Sequence, residues 1–462
     1  MEGQTSTLQA ESHTIEHIPL TERHGTSRNL FTIWFGANIM LLTVATGAVA
    51  TAVYGLPIWA ALVALALGNL IGGVVMALHA AQGPQMGVPQ MLQTRAQFGS
   101  FGSLLVVAIV IFMYVGFFAS NMVLGGQALA NVTGLPETPS IVVVGAISLL
   151  GPLFGYRFLH MLGGLMSVVA GGTLAIAFIW ALGVNGLPAG TSSTGQFSWL
   201  GFFGVLSLAA LWQIAYAPYV SDYTRYMPRD TGVRPAFWAT YIGCVSGSLL
   251  TMILGVFVGA AFPKDDSVTG LRHLTSGVGS LVIAIFGLCI AVSNGMNLYC
   301  GALSTITVGQ TIFPRWKPGA FSRTVISVVL FAVAMVMALG GKDNFLVNFT
   351  NFMLLLFCVL VPWTAINLVD YYFLKHGEYD IPSLFERDGG IYGRFNPVAI
   401  ICYVLGILVQ IPFLSTTIYT GPVASHLGGV DISWIVGLVV IGPLYYVLVK
   451  RSSTPAVAVQ EA

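Results

Sequence analysis

Asn294 and Asn297 stand three residues apart, in Ser293-Asn294-Gly295-Met296-Asn297-Leu298-Tyr299, inside a long apolar run. On a helix that spacing puts both carboxamides on one side. Asn121 lies in another apolar run, one turn after Phe117, and Trp212-Gln213 lies in a third. A carboxamide offers a donor and an acceptor side by side, which matches the edge of a planar heterocycle with neighbouring N–H and C=O groups. Aromatic rings can cover its faces, with stacking worth about 1–3 kcal/mol per base. No Lys or Arg lies deep in an apolar run to hold a carboxylate or phosphate, and no Asp or Glu to hold an amine. Asp222 and Asp370 come nearest the interior. The inventory fits a neutral, planar, polar solute, although a sugar meets the same groups. Interhelical hydrogen bonding is the competing role for any single Asn. Asn348 and Asn351 repeat the three-residue spacing later in the chain.

The elements that must carry these residues are membrane spans. Of the 462 residues, 56% are hydrophobic and 8% charged, against about 25% charged in a soluble domain. A span takes about 20 apolar residues, and twelve segments qualify: Leu30–Tyr54, Ile58–Ala80, Leu104–Ala130, Ile141–Phe154, Met161–Val184, Leu200–Tyr219, Phe237–Phe262, Val278–Val308, Thr324–Leu339, Phe345–Leu374, Pro397–Ile418 and Ile432–Val449. The loops on one side hold 15 of the Lys and Arg residues, and those on the other hold only Lys264, Arg272 and Lys342. The positive-inside rule then puts both termini in the cytoplasm. Residues 1–29 and 450–462 read as cytoplasmic tails, the first disordered, and 375–396 as a cytoplasmic loop. Formal net charge is +1, which gives no basis for nucleic-acid binding. No soluble domain or deep His/Asp/Glu cluster is present to make an enzyme. The five cysteines fall in spans without metal spacing, so neither metal nor cofactor is expected.

Two spans carry signs of a break. The first has Asn38-Ile39 within Trp34-Phe35-Gly36-Ala37-Asn38-Ile39-Met40. The sixth has Pro218, which lacks a backbone donor, close to Gln213, Tyr216, Ser221 and Asp222. Transporters bind solutes at the bilayer midplane where helices unwind. Spans one and six are five apart, which suits a five-plus-five inverted repeat: residues 30–184 and 200–374, followed by two further spans within 397–449. A plain kink at Pro218 is the alternative. His79 reads as bonded to a loop carbonyl, with a proton relay as the rival role. Asp222 reads as a gate partner of Arg95 or Arg225.

The chain resembles the nucleobase–cation symporter family, in its purine–cytosine permease branch. The resemblance rests on Gly83-Pro84-Gln85-Met86-Gly87-Val88-Pro89-Gln90-Met91 with Gln93-Thr94-Arg95 and Phe98-Gly99, on Ser221-Asp222-Tyr223-Thr224-Arg225-Tyr226, and on the Asn294–Tyr299 stretch. It implies an all-α transporter of twelve helices in the cytoplasmic membrane, importing cytosine or purines by alternating access with a coupling cation. Sister branches carry hydantoins or allantoin, hydroxymethylpyrimidine and pyridoxine-type vitamins. It further implies substrate contacts from Phe117, Asn121, Trp212 and Asn297 and a role in uptake for Asn294; the reading of the residues themselves adds Gln213. Sodium-coupled members have two hydroxyl residues where this chain has Ala291 and Val292. Ser293 alone could supply an oxygen, which is too few for a hard cation, so protons are expected over sodium. The Gly- and Pro-rich loop is expected to shape the cytoplasmic mouth. An uncoupled facilitator or channel remains the rival class.

Overall fold

A computed structural model describes residues 15–150, 156–188, 191, 195–313, 315–416 and 418–452. Residues 1–14 and 453–462 of the two tails, and 151–154 of the expected fourth span, lie outside them. The described chain is helical and has no strand. It contains nine helices long and apolar enough to cross a membrane, or ten with one bent pair. The protein is therefore a multi-pass membrane protein. In hydrocarbon a helix satisfies its own backbone, which is why sequences this apolar fold into helices.

In chain order the helices that matter are α1 (Ser27–Ala37), α2 (Leu41–Ala52), α3 (Ile58–Ala80), α4 (Gly83–Met86), α5 (Gln90–Phe98), α6 (Ser103–Thr133), α7 (Glu137–Ser148), α8 (Tyr156–Phe178), α9 (Trp199–Ile214), α10 (Val220–Thr224), α11 (Val233–Ala261), α12 (Ser267–Leu274), α13 (Gly279–Ile312), α14 (Ala320–Gly341), α15 (Phe345–Val369), α16 (Pro397–Gln410), α17 (Pro422–His426) and α18 (Ser433–Ser452). The expected fourth span overlaps the short α7, which begins four residues earlier, at Glu137. The expected ninth is a full helix, α14. The expected eleventh stops early: α16 ends at Gln410 and gives way to a tight turn over Ile411–Phe413, because Pro412 cannot donate to a continuing helix.

Small residues let the inner helices approach. A Cβ on Gly47 of α2 would fall on the Met252 carbonyl of α11, and one on Gly255 would fall on the Val44 carbonyl. Such reciprocal packing without side chains is how helices associate where lipid gives no hydrophobic drive. The N-terminal segment departs from the expected disordered tail. Ile15 and Ile18 are buried, Ile18 N–H donates to Gly87 O at 3.0 Å, and Arg23 donates to Pro84 O at 2.6 Å. Two apolar residues three apart gave that segment a face to bury. It packs on the Gly- and Pro-rich loop, at what is termed here the N-terminal face.

Candidate functional site

The site is built where α1 stops. Asn38 caps α1, Met40 is extended, and α2 leaves at 58° to α1. Asn38 Nδ2 donates to Trp34 O at 2.7 Å and to Cys244 Sγ at 3.2 Å. Its Oδ1 accepts from Trp212 Nε1 at 2.7 Å and from Tyr216 Oη at 3.0 Å. One buried amide thus joins the α1–α2 break to α9, α11 and the turn that follows α9. Ile39 beside it is fully buried in the core. After Ile214 the sixth apolar segment continues as a tight turn over Ala217–Tyr219 and then as α10. Pro218 sits in that turn, where it needs no donor.

Between these two interruptions, α6 and α13 close a small cavity of about 10 Å³, lined by Met40, Phe117, Asn121, Trp212, Ala215, Tyr216, Tyr219, Ser293 and Asn297. That is the space of roughly one water, so the walls lie against each other. The rings meet edge to face: Phe117 and Trp212 at 6.4 Å and 88°, Trp212 and Tyr216 at 6.2 Å and 83°, Tyr216 and Tyr219 at 5.6 Å and 67°. Phe117 also abuts Phe352 at 5.4 Å. No charged side chain is in the lining. Among the described residues, no side-chain hydrogen bond engages Asn297 or Ser293, so both keep their capacity for the cavity.

The structure brings Phe117, Asn121, Trp212, Ser293 and Asn297 together and turns two expected contacts away. Gln213 follows Trp212 by one residue, about 100° round the helix, and so faces α3 and α11. Its Nε2 donates to Asn69 Oδ1 at 2.7 Å and to Ser248 Oγ at 2.6 Å. Asn294 packs behind the wall, accepting from Asn121 Nδ2 at 3.0 Å and donating to Phe118 O at 3.3 Å. Asn348 is spent on the start of α15, bonding Gly341 O and Asp343 O. Met40, Ala215 and Tyr219 were not singled out from the sequence, and Tyr216 was noted only as polar company for Pro218. Tyr216 and Tyr219 follow Trp212 by four and seven residues, one helical face, and that was the available signal.

The expected gate residues lie toward the N-terminal face. Asp222 Oδ1 accepts from the Gln90 backbone N–H at 2.8 Å. Arg95 does not reach Asp222: it donates to Leu384 O at 2.8 Å, to Thr307 O at 3.1 Å and to Thr311 Oγ1. Burial pulls its guanidinium down to about 10. His79 bonds a carbonyl, Val75 O at 2.8 Å, but a helical one rather than a loop one, and stacks on Trp363 at 5.0 Å. An amide chain runs beside it, from Gln90 to Gln82 at 3.1 Å and from Gln82 to Asn367 at 2.8 Å. Asp370 accepts from Tyr379 at 2.6 Å and from Tyr445 at 3.0 Å.

Comparison with known proteins gives a family and a fold. A family model described as a permease for cytosine/purines, uracil, thiamine and allantoin matches residues 17–437. The Bacillus subtilis protein YxlA, which carries the name of a purine-cytosine permease, is 38% identical over 454 residues, covering 96% of each chain. The purine-cytosine permease fcyB of Emericella nidulans is 26% identical over 452 residues, covering 93% of this chain and 86% of its own. Among solved structures, Mhp1, a nucleobase-cation-symport-1 family transporter in a closed conformation with bromovinylhydantoin bound, superposes with a TM-score of 0.73 at 19% identity, covering 96% of each chain.

Proposed function

The chain belongs to the nucleobase–cation symporter family, and we propose that it is a secondary-active importer of nucleobases, cytosine and purines first, working by alternating access. It is a transporter and not an enzyme. The observation that carries the substrate reading is the cavity itself. Four aromatic rings and three neutral polar side chains, Asn121, Ser293 and Asn297, meet where α1 breaks, with no charge in the lining. A flat, neutral heterocycle can stack on such rings and bond such amides. The names of the relatives point to the same ligands. Allantoin or hydantoins, hydroxymethylpyrimidine and pyridoxine-type vitamins are the alternatives, because the same walls suit them.

The proposed architecture is twelve spans, a five-plus-five inverted repeat with two added helices, in the cytoplasmic membrane. The N-terminal face is cytoplasmic in this reading, as the Lys and Arg distribution favours. Impermeant maleimide added to intact cells should label a cysteine placed at Thr269 and not one placed at Arg229; the reverse pattern would overturn the orientation.

A coupling cation is part of the proposal, with the proton preferred to sodium. Ala291 faces an apolar crevice with Gly125, Ala128 and Val144, and neither it nor Val292 offers an oxygen. Asp222 and His79 are the proton-carrying candidates, and Arg95 is a gate residue. In proteoliposomes, cytosine or adenine should accumulate under an imposed pH gradient and ignore a sodium gradient. An ionophore should collapse the accumulation, which a facilitator would not show. Asp222→Asn should abolish accumulation more than equilibrium exchange. Strict sodium dependence at fixed pH would contradict the proton reading.

A further inference from the structure

Asn121 can present only one end of its amide to the cavity. The reason lies one residue behind it. Phe118 O is a carbonyl and can only accept, so the atom of Asn294 set against it at 3.3 Å is Nδ2. Asn294 Oδ1 is therefore the atom turned toward Asn121, and it can only accept. Asn121 must answer with Nδ2, which it does at 3.0 Å. A flip of either amide would set oxygen against oxygen or N–H against N–H. That leaves Asn121 Oδ1 fixed as the end turned away from Asn294, with one hydrogen of Nδ2 unassigned. Oδ1 is buried and accepts no hydrogen bond from the described residues, and Asn121 lines the cavity.

The neighbouring donors do not fill that need. Trp212 Nε1 and Tyr216 Oη are both committed to Asn38 Oδ1. Asn297 differs from Asn121 in having no side-chain hydrogen-bond partner among the described residues, so it can rotate to suit a donor or an acceptor. The wall thus pairs one adaptable amide with one fixed acceptor.

We infer that the site reads the polarity of the ligand's edge: the ligand atom set against Asn121 carries a hydrogen, and Asn294 is the positioning residue that fixes this reading. The inference rests on the proposal that a planar heterocycle enters this cavity. An amino group opposite Asn121 Oδ1 completes its bonding, whereas an oxo group there sets two lone pairs against each other in a dry site. A site built around a hydrogen bond rejects the analogue that leaves its polar group unpaired. The amino bases adenine and cytosine should therefore bind more tightly than their oxo counterparts hypoxanthine and uracil.

The test is equilibrium binding of these four bases to the purified full-length protein, wild type and Asn294→Leu. Wild type should favour each amino base over its oxo partner by about tenfold or more. Asn294→Leu keeps the branched side-chain shape and frees the Asn121 amide to turn, so each ratio should fall to within about threefold. A merely structural role for Asn294 would lower all four affinities together and leave the ratios intact. If Asn294→Leu does not fold, Asn294→Ser serves, because a hydroxyl rotates to either polarity and should also collapse the ratios. The inference is overturned if the ratios survive in the folded variant, or if hypoxanthine and uracil bind wild type as tightly as adenine and cytosine. Failure of all four to bind wild type sinks the functional reading and this inference with it. Binding without discrimination sinks this inference alone.

Discussion

The wall around Trp212 and the Arg95 cluster on the N-terminal face, the closure in the proposed gate reading, are both buried and both polar, yet they are made of different chemistry. The cavity wall has no charge: its polar groups are Asn121, Ser293, Asn297 and two tyrosines. The closure holds charges at the helix ends, where Arg95 is tied to Leu384 O, Thr307 O and Thr311 and Asp370 to Tyr379 and Tyr445. An ion near the bilayer centre costs several kcal/mol, so a cavity there is walled by amides and rings. A charge at a helix end is tolerable when the protein supplies its partners. The difference teaches where to look for function. At the closure the charged groups bind the protein to itself, whereas at the wall Asn297, Ser293 and Asn121 Oδ1 keep bonding capacity for something that is not protein.

The largest expected effect would break this comparison at the wall. Trp212→Ala and Asn297→Ala should each weaken ligand binding by about 1–3 kcal/mol, read by titration, while the protein still reaches the membrane. Wild-type affinity in both would move the site elsewhere. At the closure the opposite pattern is expected. Arg95→Met leaves buried carbonyls without a donor and should cost about 1–3 kcal/mol of stability, seen as a lower melting temperature and faster hydrogen exchange over Pro382–Phe385. Ligand affinity should change far less than with Trp212→Ala. Equal loss of affinity would mean the two regions are not separable.

A smaller effect sharpens the link between the break and the wall. Asn38→Ala and Tyr216→Phe each remove one end of the same hydrogen bond, worth about 1 kcal/mol. Their effects on binding should be less than additive in the double variant. Strict additivity would mean that the Asn38–Tyr216 bond plays no part in shaping the wall.

The smallest effect is a pH dependence of the N-terminal segment. Burial first, and then the charge of Arg23, hold the His17 imidazole below its ordinary 6.5. Neutral His17 Nε2 accepts from Arg23 Nη2 at 3.0 Å, which a protonated ring cannot do. The released segment takes up the proton first, so this contribution is full above the ordinary value and is lost as pH falls below it. Limited proteolysis within residues 15–23 should therefore speed up between pH 7.5 and about pH 5. His17→Gln should flatten that response, and a response unchanged by the substitution would assign it to another group.

Much of the scaffold was legible because a membrane helix announces itself by apolar length. The ends of α3 and α6 lie within a few residues of their expected bounds. α16 was drawn too long because the apolar run continues past Pro412, where the backbone turns. The site was legible where a residue type was costly: Asn121, Asn297 and Trp212 have little reason to lie deep in lipid unless something meets them. It was illegible where direction mattered. Gln213 and Asn294 are as polar as their neighbours, and only the packed helices show that one faces α3 and the other backs onto Asn121. Tyr219 was hidden by its type, and Tyr216 was noted only as a neighbour of Pro218, since tyrosine in a span is unremarkable until its face is known. The packing of Ile15 and Ile18 was masked by the polar residues around them.

The central claim is that the cavity at the α1 break binds a neutral heterocycle. The most direct measurement is a thermal-shift titration of purified wild-type protein and Trp212→Ala against nucleobases and vitamin heterocycles. At least one neutral heterocycle should stabilise wild type saturably, by about 2.7 kcal/mol at a hundred times its Kd, and should stabilise Trp212→Ala far less at the same concentration. Stabilisation of both proteins to the same extent, or of wild type by none of these compounds, would contradict that claim.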